Sequence, residues 1–267
     1  MNRRTVALLT LTAVVALSGC AGLLGPEPTT TPSNTTDTPN GTAADAVHDL
    51  PLNSTAILNT HEQAVTDAQS FQYQANASKR LGDLTTGPIY TNKTFQYNST
   101  TGESLELVLS RLSPSRETYL DGQGNAYQAR QVNASEVAYG AVGTDAVNGS
   151  QYHRPPIEPY LTGLEFSYDG TTTVDGTTVD TYSVSNTSQL NRTAHGLQEI
   201  SPENLDTIEV TIQIDRDGVI RSFDYAATGS NDQGDESEFY ISLTYSDLGS
   251  TDVREPVWLP EVRNGTG

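Results

Sequence analysis

The sequence predicts an α+β fold: a curved antiparallel β-sheet set against one N-terminal helix, with short additional helices. Three observations predict it. Residues 53–70 carry apolar side chains at helical spacing. From Phe71 onward the apolar period becomes two, and it returns in successive runs as far as Tyr245. Turns containing glycine separate those runs. A chain of 267 residues has room for one large domain or two small ones. The succession of strands assigns 53–262 to a single domain, with 263–267 as a flexible tail.

The helix comes first. Asn53 to Ser70 reads NSTAILNTHEQAVTDAQS. Ser54 or Thr55 can cap it, because a hydroxyl there accepts an orphan backbone N–H. Ile57, Leu58, His61, Ala64, Val65 and Ala68 then share one face, on which His61 reads as a packed side chain rather than a ligand. Phe71, Tyr73, Ala75 and Ala77 begin the first strand. Strands follow at 88–97 and 104–112 around a turn at Asn98–Gly102, and Glu117–Leu120 and Ala126–Arg130 flank the glycine-rich turn 121–125. Asn133 to Val142 is expected as a short helix, since Asn133 and Glu136 stand at capping-box spacing. Pro155 to Phe166 is expected as another. Strands near 166–172 and 178–184 bracket Thr173–Gly176. In the last third Ile208, Val210, Ile212 and Ile214 alternate with polar residues. A turn at Asp215–Gly218 leads to Val219, Arg221, Phe223 and Tyr225, and a polar loop at 228–237 leads to Phe239, Ile241, Leu243 and Tyr245. This is an antiparallel meander with one apolar face, which the helix is expected to cover.

Residues 1–19 read as a signal peptide. Arg3 and Arg4 precede an apolar run from Thr5 to Leu17, shorter than the roughly 20 residues a membrane-spanning helix needs. Leu17-Ser18-Gly19-Cys20 has the form of a lipobox, and Cys20 is the single cysteine of the chain, the expected site of lipidation. Paired arginines fit a twin-arginine export signal, but Sec leaders also begin with basic residues, so the route stays open. Residues 20–52 are expected to be a lipid-anchored, disordered tether. Their stretch PEPTTTPSNTTDTPNGT has too little apolar surface to offset its ordering entropy. The protein is thus expected at the cell membrane, on its extracytoplasmic face.

Charge and sequons agree with that location. Lys and Arg number 14 against 33 Asp and Glu, a net charge of −19, and Lys79 and Lys93 are the only lysines. Such a field excludes nucleic acid as a partner. Acidity spread along the whole chain points to a halophilic surface. A single cysteine excludes intrachain disulfides and zinc sites built from several cysteines. Eleven N-x-S/T sites make a glycoprotein: Asn34, Asn40, Asn53, Asn76, Asn92, Asn98, Asn133, Asn148, Asn186, Asn191 and Asn264. The other reading is that Asn, Ser and Thr gather because all three favour turns.

An N-terminal helix leads into a long meander that carries the phrases Thr173-Val-Asp-Gly-Thr-Thr-Val-Asp-Thr-Tyr182 and Ile212-Gln-Ile-Asp-Arg-Asp-Gly-Val-Ile-Arg221. A closing strand is read through Val253-Arg-Glu-Pro-Val-Trp258, pinned by Trp258. This resembles the half-barrel lipoproteins related to LolA, LppX and LprG, over about residues 52–260, and most of all their archaeal, halophile cell-surface relatives of uncharacterised function. The resemblance implies a half-barrel sheet curled around the helix, with an apolar concavity that takes acyl chains. The chain departs from LolA in keeping its own lipid anchor, a feature shared with LppX and LprG. It is also poor in Phe, Met and Trp. If the sheet curls, Leu58, Val65, Ile208, Val210, Ile212, Ile214, Phe239, Ile241, Leu243 and Tyr245 point into an apolar groove.

The search for chemistry is mostly negative. There is no G-x-S-x-G elbow, no H-E-x-x-H and no phosphate-cradling glycine loop. His48, His61, His153 and His195 are scattered without metal-pair spacing. Asp215–Gly218 holds a fragment of a calcium loop, but position 224 is Asp, so a β-turn accounts for it better. Residues 231–236 form a second acidic loop. Thirteen tyrosines against five phenylalanines suit either the edge of a core or an amphipathic groove. No enzyme, cofactor or metal is expected. The expected role is binding or carrying a lipid or other amphiphile, the alternative being a surface interaction or structural lipoprotein with no small ligand.

Overall fold

The computed structural model describes residues 47–265 apart from 83–86, 196–199, 201 and 231–233. Cys20, Asn34, Asn40, the leader and most of the tether segment therefore lie outside the described residues, as does part of the 231–236 loop. Helix α1 spans Ser54–Ala68. Its cap is Asn53 rather than either hydroxyl: the Asn53 side chain accepts the Ala56 N–H at 2.9 Å. It ends at Gln69, whose left-handed backbone (φ 62°) turns the chain into the first strand. Ile57, Leu58, His61 and Val65 are its buried face, as the spacing predicts.

Eleven strands form one open antiparallel sheet. They are β1 (Ser70–Leu81), β2 (Ile89–Asn98), β3 (Glu103–Ser110), β4 (Arg116–Leu120), β5 (Ala126–Asn133), β6 (Glu136–Val142), β7 (Ser167–Val174), β8 (Thr177–Val184), β9 (Leu205–Asp215), β10 (Ile220–Ser230) and β11 (Glu236–Ser246). The order is β6-β5-β4-β3-β2-β1-β11-β10-β9-β8-β7. The first and last strands thus meet at the centre, with Tyr73 opposite Tyr245, and each half meanders outward to a free edge. The β6–β7 connection joins one edge to the other. It carries Val147, Tyr152, Ile157 and Leu161, all buried in the main core.

That connection explains one difference from the expected helices. Within 155–166 only α2 (Glu158–Leu161) forms, a single turn. Residues 133–142 are no helix at all. They are the end of β5 and the whole of β6, and the Asn133/Glu136 spacing closes a hairpin: Asn133 Nδ2 donates to Glu136 Oε2 at 2.7 Å and its Oδ1 accepts the Ser135 N–H at 3.0 Å. The expected closing strand is also absent among the described residues. After β11 the chain runs without strand pairing to α3 (Leu259–Arg263). Trp258 still acts as a pin, joining Val253 and Leu259 against Tyr119 and Ala129 in a second, smaller core.

The two cores lie on opposite faces. The main core holds Ile57, Leu58 and Val65 of α1 with the inward residues of β8 to β11, β1 and β2. Its cross-strand rows follow from the register: Tyr182, Ile212, Phe223, Leu243 and Ala75 form one. The His61 Nδ1 accepts the Ile220 N–H at 3.1 Å, tying α1 to the start of β10. Packing begins before the expected boundary at 53, because Val47 is already buried in this core. The second core lies on the other face of β3 to β6. There Leu105, Tyr119, Tyr127 and Tyr139 receive the C-terminal segment.

Candidate functional site

All ten predicted groove residues meet in one cluster, but not as a groove. Nine are buried, and Ile241 alone is half-buried. The space between α1 and the sheet is filled by Ile57, Leu58 and Val65. Filling it is the favourable outcome, since each large aliphatic side chain contributes about 1.5–3 kcal/mol when buried.

Room remains further along the same face, where β1 changes character. Its inward residues are Phe71 and Tyr73 at one end and Ala75 and Ala77 at the other. At the aromatic end the rings fill the space: Phe95 stacks on Tyr152 with centroids 4.0 Å apart, and Tyr73 lies 5.1 Å from Tyr245. At the alanine end β1 itself contributes no ring. A pocket of about 270 Å³ opens there, walled by Ala77, Ile89, Thr91, Phe239, Ile241 and Tyr160 of α2, with Lys79 in its wall. Tyr160 is held over it by a cluster of two rings, 5.3 Å from Tyr225 and 5.6 Å from Phe239. Tyr225 is fixed in turn. Its hydroxyl lies 3.0 Å from His195 Nε2, while His195 Nδ1 lies 2.9 Å from the Thr162 carbonyl. Nδ1 must therefore donate and Nε2 accept. Burial lowers the His195 pKa, with the Thr162 bond opposing it.

Beside this pocket lies a polar cluster that sequence reasoning missed. Strand β3 reads Glu-Ser-Leu-Glu-Leu-Val-Leu-Ser, which invites the leucines inward. The register turns Ser104, Glu106 and Val108 inward instead, and leaves Leu107 36% and Leu109 40% exposed on the other face. Glu106 is only 2% exposed. It pairs with Lys93 at 3.6 Å and Arg116 at 3.3 Å and accepts a short hydrogen bond from the Tyr152 hydroxyl. Lys93 Nζ also lies 5.1 Å from the centre of the Tyr152 ring. Burial, and next the bond to Glu106, push the Tyr152 pKa well above the usual tyrosine value. The one sequence signal was a Lys, a Glu and an Arg on three neighbouring strands, and it emerges only once register is known.

A larger cleft, about 760 Å³, lies between α1 and the residues around Val219 and Leu248. It is lined by Asn59, Gln63, Ala64, Asp67, Val219, Leu248 and others. Arg221 in its wall is already engaged, its Nε donating to Asp215 Oδ2 at 2.7 Å. The Asp215 carboxylate also accepts the N–H groups of Asp217 (3.0 Å) and Val219 (2.9 Å), so it organises the turn and has little left for a cation. His48 lies 3.0 Å from Asp180 and His153 Nδ1 lies 3.1 Å from the Thr66 hydroxyl. Among the described residues no group of three or more His, Cys, Asp or Glu is placed to hold a metal. Of the nine described sequons, all but Asn98 have an exposed asparagine. Asn98 is half-buried and its amide donates to the Thr251 carbonyl at 3.0 Å. The side-chain oxygens of Asn53, Asn148, Asn186 and Asn191 cap backbone N–H groups, which is the turn chemistry expected of these residue types.

The described residues thus form an open antiparallel sheet with an apolar pocket on its inner face. The chain belongs to a protein family of unknown function, DUF7537, whose model matches residues 4–262. No curated protein is similar to it in sequence. Three solved structures resemble it. The lipoprotein LppX of Mycobacterium tuberculosis is 14% identical, with 76% of this chain and 96% of that one covered and a TM-score of 0.37. LprF of Mycobacterium bovis is 12% identical, with 76% and 95% covered and a TM-score of 0.37. A LolA superfamily protein of Nitrosomonas europaea is 8% identical, with 76% and 96% covered and a TM-score of 0.25. At scores this low the likeness carries no argument about ligand or partner. No described helix is long and apolar enough to cross a membrane.

Proposed function

We propose that this chain is an extracytoplasmic lipoprotein, anchored in the membrane by a lipid on Cys20, whose domain binds a lipid or other amphiphile and catalyses no reaction. Residues 1–19 are its leader and the segment after Cys20 its tether. Glycans on its exposed sequons and an acidic, salt-adapted surface complete this reading. The observation that carries it is the pocket of about 270 Å³ under Tyr160, with Ile241 half-buried in its wall. A well-packed domain closes such apolar space. Here α1 packs Ile57, Leu58 and Val65 into the neighbouring core, yet β1 presents alanines opposite Ile241 and Leu243. The volume lies just under the ordinary range for small-molecule sites, about 300–1,000 Å³. It suits the end of one chain rather than a whole multi-chain lipid.

The test is native mass spectrometry and displacement of a fluorescent fatty acid, comparing the natural protein with Ile241→Trp. The indole should fill the pocket, weaken binding at least tenfold and leave the circular dichroism unchanged. Equal binding by both proteins, or no binding by either, would sink the reading. For the anchor, Cys20→Ser should release the protein from membranes; undiminished retention would refute it.

The alternative, an interaction lipoprotein without a small ligand, is favoured by a different observation. Leu107, Leu109 and Leu112 are exposed together on and just beyond β3, Leu112 by 71%. Absence of any amphiphile from gently purified protein, with concentration-dependent association lost in Leu109→Ser, would decide for it.

A further inference from the structure

The protein carries a net charge of −19, yet one part of it is cationic. On the inner face of β1 to β5 the charged side chains are Lys79, Lys93, Arg116 and Arg130 against the single carboxylate Glu106. Three of them lie in one transverse row. Lys93 is opposite Val108, Val108 opposite Arg116, and Arg116 opposite Arg130. Directly opposed like charges on neighbouring strands are destabilising. Glu106 offsets only part of this, pairing with Lys93 and Arg116. Arg130 is exposed and has no ion pair among the described residues. Beyond it the row ends at the uncharged Ala138 on the edge strand β6, whose one carboxylate, Glu136, accepts a hydrogen bond from Asn133 Nδ2.

One end of the row borders the apolar pocket, and Arg116 and Arg130 stand two and three strands further on, at about 5 Å per strand. Lys93 follows Thr91, a wall residue, two places along the inner face of β2, a step of about 7 Å. Lys79, at the other side, stands in the wall itself. An apolar space with fixed cations beside it, in a molecule otherwise acidic, favours anions at that spot. Guanidinium groups are suited to it, since their forked N–H donors match phosphate and carboxylate oxygens.

We propose that Lys93, Arg116 and Arg130 form an oxyanion site at the pocket, taking the phosphate or carboxylate head of the amphiphile whose chain the pocket holds. This rests on the amphiphile-binding reading above. The same chemistry would also take free phosphate, and the two sources separate by experiment. The probes are monopalmitoyl lysophosphatidylglycerol, the uncharged monopalmitoylglycerol with the same chain, and inorganic phosphate, at one fixed salt concentration. The variants are Arg130→Gln, which breaks no contact of the fold, and Ile241→Trp. The natural protein should bind the anionic lipid at least tenfold more tightly than the neutral one. Arg130→Gln should reduce that preference several-fold and leave the neutral lipid unaffected, while Ile241→Trp should weaken both lipids. Phosphate bound as tightly as the lysolipid, sensitive to Arg130→Gln and indifferent to Ile241→Trp, would support the oxyanion site and refute its role for a lipid head. Equal affinity for charged and neutral lipid, or a preference unchanged in Arg130→Gln and in the charge-reversing Arg130→Glu, would overturn the proposal. Failure of both lipids to bind, with phosphate also unbound, would overturn this proposal and the amphiphile reading together.

Discussion

His61 shows how far a single residue can be read. Its place on the apolar face of α1 was legible from spacing alone. Its consequence was not, because the partner is a backbone N–H 159 residues away, at Ile220. That bond requires Nδ1 to accept, so the ring is neutral with its proton on Nε2. Tyr245 meets it edge-on at 4.4 Å. Burial, with smaller contributions from His153, Arg221 and Arg154, lowers its pKa from 6.5 to about 3. Between those values the unfolded chain binds a proton that the folded one refuses, so stability falls as pH drops through that window. At pH 5 the loss is about 2 kcal/mol. His153 and His195, lowered by burial as well, add to it with the same sign. Urea unfolding of the natural protein and of His61→Gln, at pH 7.5 and at pH 5, isolates the His61 share. Gln keeps an acceptor for Ile220, and the pH slope of the variant should be shallower. Parallel slopes would mean that His61 is not held neutral. Glu106 marks the opposite limit of legibility. The alternation of β3 offers one apolar parity, its leucines, but both faces of this sheet carry a core, so hydrophobicity could not say which face that parity, and with it Glu106, would take.

Among the elements, those specified by local chemistry were legible and those specified by distant partners were not. Strands β9, β10 and β11 stand where the alternation puts them, although a bulge between Ile220 and Ser222 takes Arg221 out of the expected row. Residues 133–142 carry a capping-box spacing that fits a helix start and a hairpin end equally well. Only pairing along β5 decides between them. The segment after β11 is apolar enough for a strand, but both neighbours of β11 are already taken by β1 and β10. It packs its side chains on a face instead. The α1–hairpin contact offers a test at this scale. Gly218 has φ +80°, and a Cβ there would lie 2.4 Å from Thr60 Cγ2. Gly218→Ala therefore meets both backbone strain and a clash with α1, together about 2–4 kcal/mol. Adding Thr60→Ser removes the obstructing methyl and should restore the clash portion alone. Denaturant midpoints for the two single variants and the double variant measure this. Strict additivity would mean that Gly218 is needed for its backbone only.

At the scale of the whole molecule the governing fact is charge. Carboxylates exceed cations by 19, so most have no cation to pair with, whatever the arrangement of the surface. Two of the lowest-exposure carboxylates are satisfied locally, Glu106 by Lys93 and Arg116 and Asp215 by Arg221. The excess therefore sits on the outside, where its self-repulsion depends on the solvent. At about 1 M salt the screening length is roughly 3 Å and neighbouring carboxylates scarcely interact; at about 0.01 M it is roughly 30 Å, and charges across most of the domain repel one another. Repulsion among fixed charges destabilises the compact state, and an expanded chain relieves it. The thermal midpoint should rise steadily with potassium chloride from about 0.01 M to about 1 M. If general charge repulsion is the cause, sodium chloride should act equally at the same ionic strength. The inner-face cations make a second, opposite expectation. Binding of an anionic amphiphile at Lys93, Arg116 and Arg130 should weaken over the same range, because the attraction there is screened as the repulsion is. A midpoint independent of salt would refute the reading of this surface as adapted to brine, and ligand affinity rising in parallel with stability would show that salt acts through folding rather than through the site.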